Sequence, residues 1–365
     1  MTTKIEKTII GFFSEAKDVC GSEGLFQSIF YHQCRLNYKQ DQIRREEAVD
    51  GGRVDFVIEE TDRLISIELK AGANGHRNSL ANMKEVENTG KGLQHDIDKL
   101  LSLQKQTGKH VESWLVCVDL LVLGIAFSKK DVDKYSSVSN KQGVHFAYLA
   151  QLNDNCEIWE NEKRKEHKLC IPDCTSNISA LALLNMKSTW TEFFYEVATE
   201  EDSPECAHVG LLYHILRRKG LKHTQLASEV FFNCNKYGTR QYYIPDIAVF
   251  GDKFIGQFQL FGNNKRTIEN DKYKLPELVS IMEFKGGRTF KSKGIKSRQE
   301  AIISDVEKLS YQIKPIVEAA SLSLKINTQP HYIMIITDDD PRLKVCIDEL
   351  RQKHGEIIDI KWQGL

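Results

Sequence analysis

Two short stretches of the chain place a lysine two residues after a glutamate at the end of an apolar run. The first reads LISIELKAG, with Glu68 and Lys70, and the second reads LVSIMEFKGG, with Glu283 and Lys285. On a strand, residues two apart share a face, so each acid and its lysine point one way while Leu69 or Phe284 points the other. In each case an earlier apolar strand carries an aspartate: GRVDFVI with Asp55, and YYIPDIAVF with Asp246. In the first copy the polar segment EETDR reads as a hairpin turn centred near Thr61 and Asp62, which makes Asp55 the cross-strand partner of Glu68. Like charges opposed on a sheet are destabilising unless a cation lies between them. A hard divalent metal, which takes oxygen ligands, supplies such a cation. Glu-x-Lys alone says little in a chain with 50 Lys and Arg and 51 Asp and Glu. The plain alternative is a solvated face on which Lys70 is an ordinary ion-pair partner. Recurrence of the whole set in both halves argues against it.

The elements that must position these residues also recur. IIGFFSE, ending at Glu15, matches WTEFFYE, ending at Glu196. Each leads to an amphipathic helical pattern opened by an acid: EGLFQSIFYHQCR from Glu23 and ECAHVGLLYHILRR from Glu205. Tyr31-His32 and Tyr213-His214 fall at the same place in the two helices and read as packing and surface residues rather than catalysts. After the Glu-x-Lys strands come a second helix, HDIDKL around Asp96 and SDVEKL around Asp305, and then a β-type run, SWLVCVDLLVLG or HYIMIITDDD. The order helix, strand, strand, helix, strand therefore occurs twice, and duplication decides the architecture. The pattern predicts an α/β class with a mixed central sheet, apolar on both faces and flanked by helices, in each half. The join is expected between about Gln151 and Met186, giving domains over 1–165 and 186–365 with a linker over 166–185.

With an aspartate, then Glu-x-Lys, at equivalent places in both halves, the sequence resembles the PD-(D/E)XK nuclease superfamily, the restriction-endonuclease-like fold, in two tandem copies. The second copy matches literally, with Pro245-Asp246 and then Glu283-Phe284-Lys285; the first has Val54 at the proline position. The second also carries a longer interval between its acids, with NNKRTIENDKYKLPE inserted. The resemblance implies a divalent-metal-dependent hydrolase of phosphodiester bonds, foremost a DNA endonuclease, with restriction or phage defence as a context by analogy. It implies that Asp55, Glu68 and the Leu69 carbonyl hold Mg2+ or Mn2+, while Lys70 orients and helps deprotonate the attacking water. Asp246, Glu283 and Lys285 repeat those roles. Glu23 and Glu205 match the additional acid that many members use; as first-turn acids they are equally explained by the helix dipole. Alternatives within the resemblance are an RNase, or a DNA-binding or assembly subunit with one site or none.

Composition bounds these readings. At 365 residues, 41% of them hydrophobic, the chain is long enough for two ordinary domains. Neither a signal peptide nor a membrane-spanning run is apparent, so a cytoplasmic protein without membrane association is expected. Nine cysteines in such a chain read as reduced thiols. His167, Cys170 and Cys174 with Cys156 lack the paired C-x-x-C of a zinc site. A net charge of -1 excludes a generally basic nucleic-acid wrapper, so any binding to nucleic acid, with DNA favoured over RNA, must be local. The candidate patches are Arg35, Lys39, Arg44 and Arg45; Arg217, Arg218, Lys219 and Lys222; and Lys291, Lys293, Lys296 and Arg298, which follow the second motif and could hold a phosphate backbone. No G-x-x-x-x-G-K-[ST] loop is present, so an ATP-driven step would need a protein partner, as would recognition without a zinc finger or helix-turn-helix.

Overall fold

The computed structural model describes residues 2–74, 77–78, 80, 83, 92–120, 126–151, 153–170, 178–199, 203–230, 232–233, 242–258 and 274–364. The chain is mixed α/β and divides into two compact units, Met1–Asp173 and Cys174–Leu365. The division falls inside the stretch read as a linker, but that stretch is not all irregular. A strand runs to Lys168, and a short helix, Ala180–Asn185, is capped by the Ser179 side chain, which accepts from the Ala182 amide. Among the described residues no helix is long and apolar enough to cross a membrane.

In the first unit, α1 (Lys4–Ala16) and α2 (Glu23–Asn37) precede the hairpin strands β1 (Ile43–Val49), β2 (Gly52–Glu59) and β3 (Leu64–Lys70). Then follow α3 (Leu93–Thr107), β4 (Val111–Asp119), α4 (Lys129–Lys141), β5 (Val144–Ala150), β6 (Asn155–Glu160) and β7 (Lys163–Lys168). The seven strands lie in chain order, antiparallel from β1 to β3, parallel from β3 to β5, and antiparallel again to β7. The switch to parallel pairing after β3 forces a crossover, and α3 supplies it. Thr3 and Ser22 start α1 and α2 by accepting amide hydrogen bonds from Glu6 and Leu25. Phe12, Phe26 and Phe30 cluster between those helices, and Phe30 packs on Phe56 of β2 with ring centroids 5.0 Å apart. Val57, Leu64 and Leu115 instead join Ile97 and Leu100 of α3 in a second cluster. Buried side chains of this size each contribute about 1.5–3 kcal/mol, enough to tolerate a costly polar group at the sheet's end.

The second unit repeats the central part. Its helices α5 (Ala180–Asn185), α6 (Lys187–Ala198) and α7 (Glu205–Arg218) precede β8 (Leu226–Ser228), β9 (Ile247–Phe250) and β10 (Leu278–Gly286). Next come α8 (Ile295–Lys308), a π-helical stretch over Leu309–Ile313, α9 (Lys314–Leu324), β11 (His331–Thr337), α10 (Lys344–His354) and β12 (Ile358–Trp362). The strand order is β8-β9-β10-β11-β12, antiparallel to β10 and parallel beyond it. This is the pairing sense of β1 to β5. The run YYIPDIAVF is not one strand, because β9 begins only after Asp246. Most of the inserted NNKRTIENDKYKLPE lies outside the described residues.

Candidate active site

The β2–β3 ladder pairs Glu59 with Leu64 and ends at Phe56 opposite Ile67, one step short of Asp55 and Glu68. The β9–β10 ladder likewise reaches Ile247 opposite Met282, one step short of Asp246 and Glu283. In both units the aspartate therefore stands just past the last ladder pair, at the height of the glutamate. Its carboxylate takes over from the ladder: Asp55 Oδ2 accepts the Leu69 amide at 2.7 Å, and Asp246 Oδ2 accepts the Phe284 amide at 2.7 Å. The strand amide beside each aspartate thus replaces the direct strand pair expected between the two acids.

Each glutamate and lysine sits on the strand that switches the sheet to parallel pairing. Glu68 lies beside Leu115 and Lys70 beside Cys117; Glu283 lies beside Met334 and Lys285 beside Ile336. Two residues on, a glycine with positive φ, Gly72 at 92° and Gly287 at 72°, turns the chain against the start of a helix. A Cβ on Gly72 would meet the Glu23 amide nitrogen at 2.6 Å, and one on Gly287 the Glu205 amide nitrogen at 2.4 Å. Only glycine permits this approach. It brings Glu23 and Glu205 to the constellation: Glu205 Oε2 accepts the Gly286 amide at 2.9 Å, and the Glu23 charge helps to raise Asp55.

Helix residues complete the set, and sequence reading gave them no role in the site. Lys70 Nζ lies 2.8 Å from Glu68 Oε1 and 3.0 Å from Asp96 Oδ1, and Lys99 Nζ lies 2.5 Å from Glu68 Oε1. In the second unit Lys285 Nζ lies 2.7 Å from Asp305 Oδ2, and Lys308 Nζ lies 3.4 Å from Glu283 Oε1. The recurring HDIDKL and SDVEKL pattern was the signal that could have found them. Gln27 of α2 reaches Asp55 Oδ1 at 3.2 Å and is itself held by Arg45 at 3.1 Å. Tyr243 donates its hydroxyl to Glu283 Oε1 at 2.5 Å, and Gly52 stands at the equivalent distance ahead of Asp55. No sequence signal marked Tyr243, which precedes Glu283 by 40 residues.

The electrostatics follow from crowding acids into a partly closed place. Burial first, and then the Glu68 carboxylate, push Asp55 well up from the usual carboxylate range. Burial and Glu68 likewise raise Asp96 against the pull of Lys70. Burial lifts Asp246 to about 6, helped by Glu205, and lifts Glu283 to about 7, helped by Asp246. Burial opposes the charge on Lys70, but Glu68, Asp96 and Asp55 outweigh it and hold the ammonium above its ordinary range; Lys285 is raised in the same way by Glu205 and Asp305. The neighbouring acids therefore favour the ammonium form of both lysines.

A divalent cation fits this chemistry. Glu68 Oε2 is buried without a hydrogen-bond partner, beside an aspartate that resists ionising, and a cation would satisfy the first and relieve the second. In the same structure Glu68 pairs with two lysines and Glu283 with one, and among the described residues no three His, Cys, Asp or Glu side chains form a ready metal-holding group. Cys156 and His167 are cross-strand partners, Cys156 is buried and Cys170 exposed, and Cys174 lies outside the described residues.

Most of the basic patches are spent on internal pairing. Arg298 is buried, 2.6 Å from both Asp338 and Asp340, and is not available to a phosphate backbone; Lys293 and Lys296 remain exposed. Arg45 is buried against Tyr31 and Phe56. Arg44 pairs with Glu47, Arg217 is buried and donates to the Leu221 carbonyl, and Arg218 and Lys219 pair with Glu192. Tyr31, His32, Tyr213 and His214 are all buried. No protein-family description, curated protein or solved structure matches the chain.

Proposed function

We propose that this chain is a divalent-metal-dependent nuclease that carries a restriction-endonuclease-like fold twice, with a phosphodiesterase site in each unit. The observation that supports this best is the repetition of one geometry. In both units an aspartate stands one step past the ladder and accepts the amide inside Glu-x-Lys, with a positive-φ glycine beyond the lysine. Residues that merely decorate a surface have no reason to keep a register, a hydrogen bond and a glycine together.

Asp55 and Glu68 would hold Mg2+ or Mn2+ in the first unit, and Asp246 and Glu283 in the second, with Glu23 and Glu205 adding negative charge nearby. The bound ion supplies charge neutralisation at a scissile phosphate and acidifies the attacking water. Lys70 and Lys285, held as ammonium ions by neighbouring acids, offset the charge that develops on the phosphate oxygens. Asp96 and Asp305 keep those lysines in place. Gln27 orients Asp55. Lys293 and Lys296 are exposed beyond the second motif and can contact a backbone. DNA is the favoured substrate.

A second reading is a nuclease fold kept for binding alone. Its support is that Glu68 already has two lysines, so that carboxylate is compensated without a metal. One assay separates the readings: labelled single-stranded and duplex DNA and RNA, with Mg2+, Mn2+ or EDTA. Cleavage that needs the metal is expected, and retention without cleavage under every condition would favour the binding subunit. Preference for RNA would reassign the substrate.

A further inference from the structure

In both units the glutamate of the strand motif is gripped by a lysine of the following helix, which in the first unit joins the motif's own lysine on Glu68. Lys99 Nζ lies 2.5 Å from Glu68 Oε1, with its side chain only 11% exposed. One turn earlier on α3, Asp96 lies 4.0 Å from Lys99 Nζ and 3.0 Å from Lys70 Nζ. On α8 the same spacing recurs, with Lys308 Nζ 3.4 Å from Glu283 Oε1 and Asp305 2.7 Å from Lys285 Nζ. In the first unit both lysines crowd one oxygen of Glu68, while Oε2 has no hydrogen-bond partner. An ordinary exposed pair would need neither the burial seen in the first unit nor the repetition of the spacing in the second.

We propose that Lys99 and Lys308 are latches on the metal sites, each ammonium holding one oxygen of the carboxylate that the cation must share. The inference rests on the reading of Glu68 and Glu283 as metal ligands. When a divalent ion joins the two ammonium groups at Glu68, three cations repel one another in a small space; Asp96 already holds Lys70 at 3.0 Å, so Lys99 is the one that moves. Asp96, on the same helix and already within 4.0 Å, is where the ammonium of Lys99 goes. Lys99 and Lys308 are positioning residues, since they act through the glutamates. The two latches differ in grip. Lys99 is the closer, whereas Glu283 is shared with the Tyr243 hydroxyl and Lys308 stands over the Tyr243 ring at 4.7 Å. Metal binding in the first unit is therefore opposed more strongly by its lysine than in the second.

The test is a Mn2+ titration of the full chain, followed by calorimetry and by thermal melting. Asp246→Asn isolates the first site and Asp55→Asn the second. Lys99→Met should tighten Mn2+ at the first site by about tenfold, and Lys308→Met should tighten the second by less. Lys99→Met should also lower the melting temperature in EDTA while enlarging the rise that Mn2+ produces. A purely structural lysine would lower the first without enlarging the second. Lys99→Gln, which keeps a hydrogen-bond donor to Glu68, should show the same signs more weakly and covers the case in which methionine disrupts folding. Unchanged or weaker Mn2+ affinity in both Lys99 variants overturns the latch and leaves the nuclease reading standing. Absence of Mn2+ binding in the unsubstituted chain and in every variant overturns both.

Discussion

Asp246 and Glu283 illustrate what burying a facing pair of acids costs a protein. Their carboxyls are lifted from 3.8 to about 6 and from 4.5 to about 7, so the folded chain binds protons that the unfolded chain has released. Stability from this pair is complete below the unfolded values and is lost as pH rises through the folded ones, between about 4 and about 7. In EDTA the melting temperature should therefore fall from about pH 5.5 to about pH 8, and Glu283→Gln should flatten that fall. Mn2+ should raise the melting temperature more at the higher pH, because the cation takes the place of the protons. Melting curves across this range check both, and an identical slope in Glu283→Gln would remove the paired acids from the account. The grouping of Asp55, Glu68 and Lys70 was legible from alternation, the hairpin turn and the recurrence of the set in both halves. Tyr243 was not, because its contact with Glu283 depends on packing across a 40-residue separation.

Strands and helices explain why the sites are placed as they are. Gly72 and Gly287 let helices α2 and α7 approach the end of the motif strands, so Gly72→Ala and Gly287→Ala should each cost about 1–3 kcal/mol through strain and displacement of the helix start. Urea denaturation would measure this, and a loss below experimental error would show that the close approach is not needed. The basic run after the second motif separates by position. Arg298→Ala should destabilise the second unit by about 3 kcal/mol, because it leaves buried Asp338 without its partner while Asp340 keeps Arg342. Lys293→Ala with Lys296→Ala should leave stability unchanged, weaken DNA binding and flatten its salt dependence. Binding isotherms at several salt concentrations, beside melting curves, distinguish the two effects. Sequence alone could not divide this run, since the acids that bury Arg298 lie 40 and 42 residues away. It did show the hairpin turn, whose centre fixes the height of Asp55 and Glu68; it did not show that the ladder stops one step earlier, which depends on the Leu69 amide turning to the Asp55 carboxylate.

At the scale of the molecule the duplicated order of elements was legible because each half repeats the same short patterns in the same sequence. The mixed sheets follow from that order, with parallel pairing beginning where a helix separates two strands. The extra strands β6 and β7 of the first unit, and the π-helical stretch after Lys308 in the second, have no counterpart in the repeat and were not foreseen. Retention of both constellations leads to a claim about strands of DNA. If each site serves one strand of a duplex, Asp55→Ala and Asp246→Ala should each leave an enzyme that nicks.

The most direct measurement is cleavage of a supercoiled plasmid by the full chain, Asp55→Ala, Asp246→Ala and the double substitution, with Mn2+ and with EDTA. The unsubstituted chain with Mn2+ should yield linear DNA, each single substitution open circles, and the double substitution or EDTA no product. Cleavage that persisted in EDTA, or in the double substitution at the parental rate, would contradict the claim that these two constellations are metal-dependent phosphodiesterase sites.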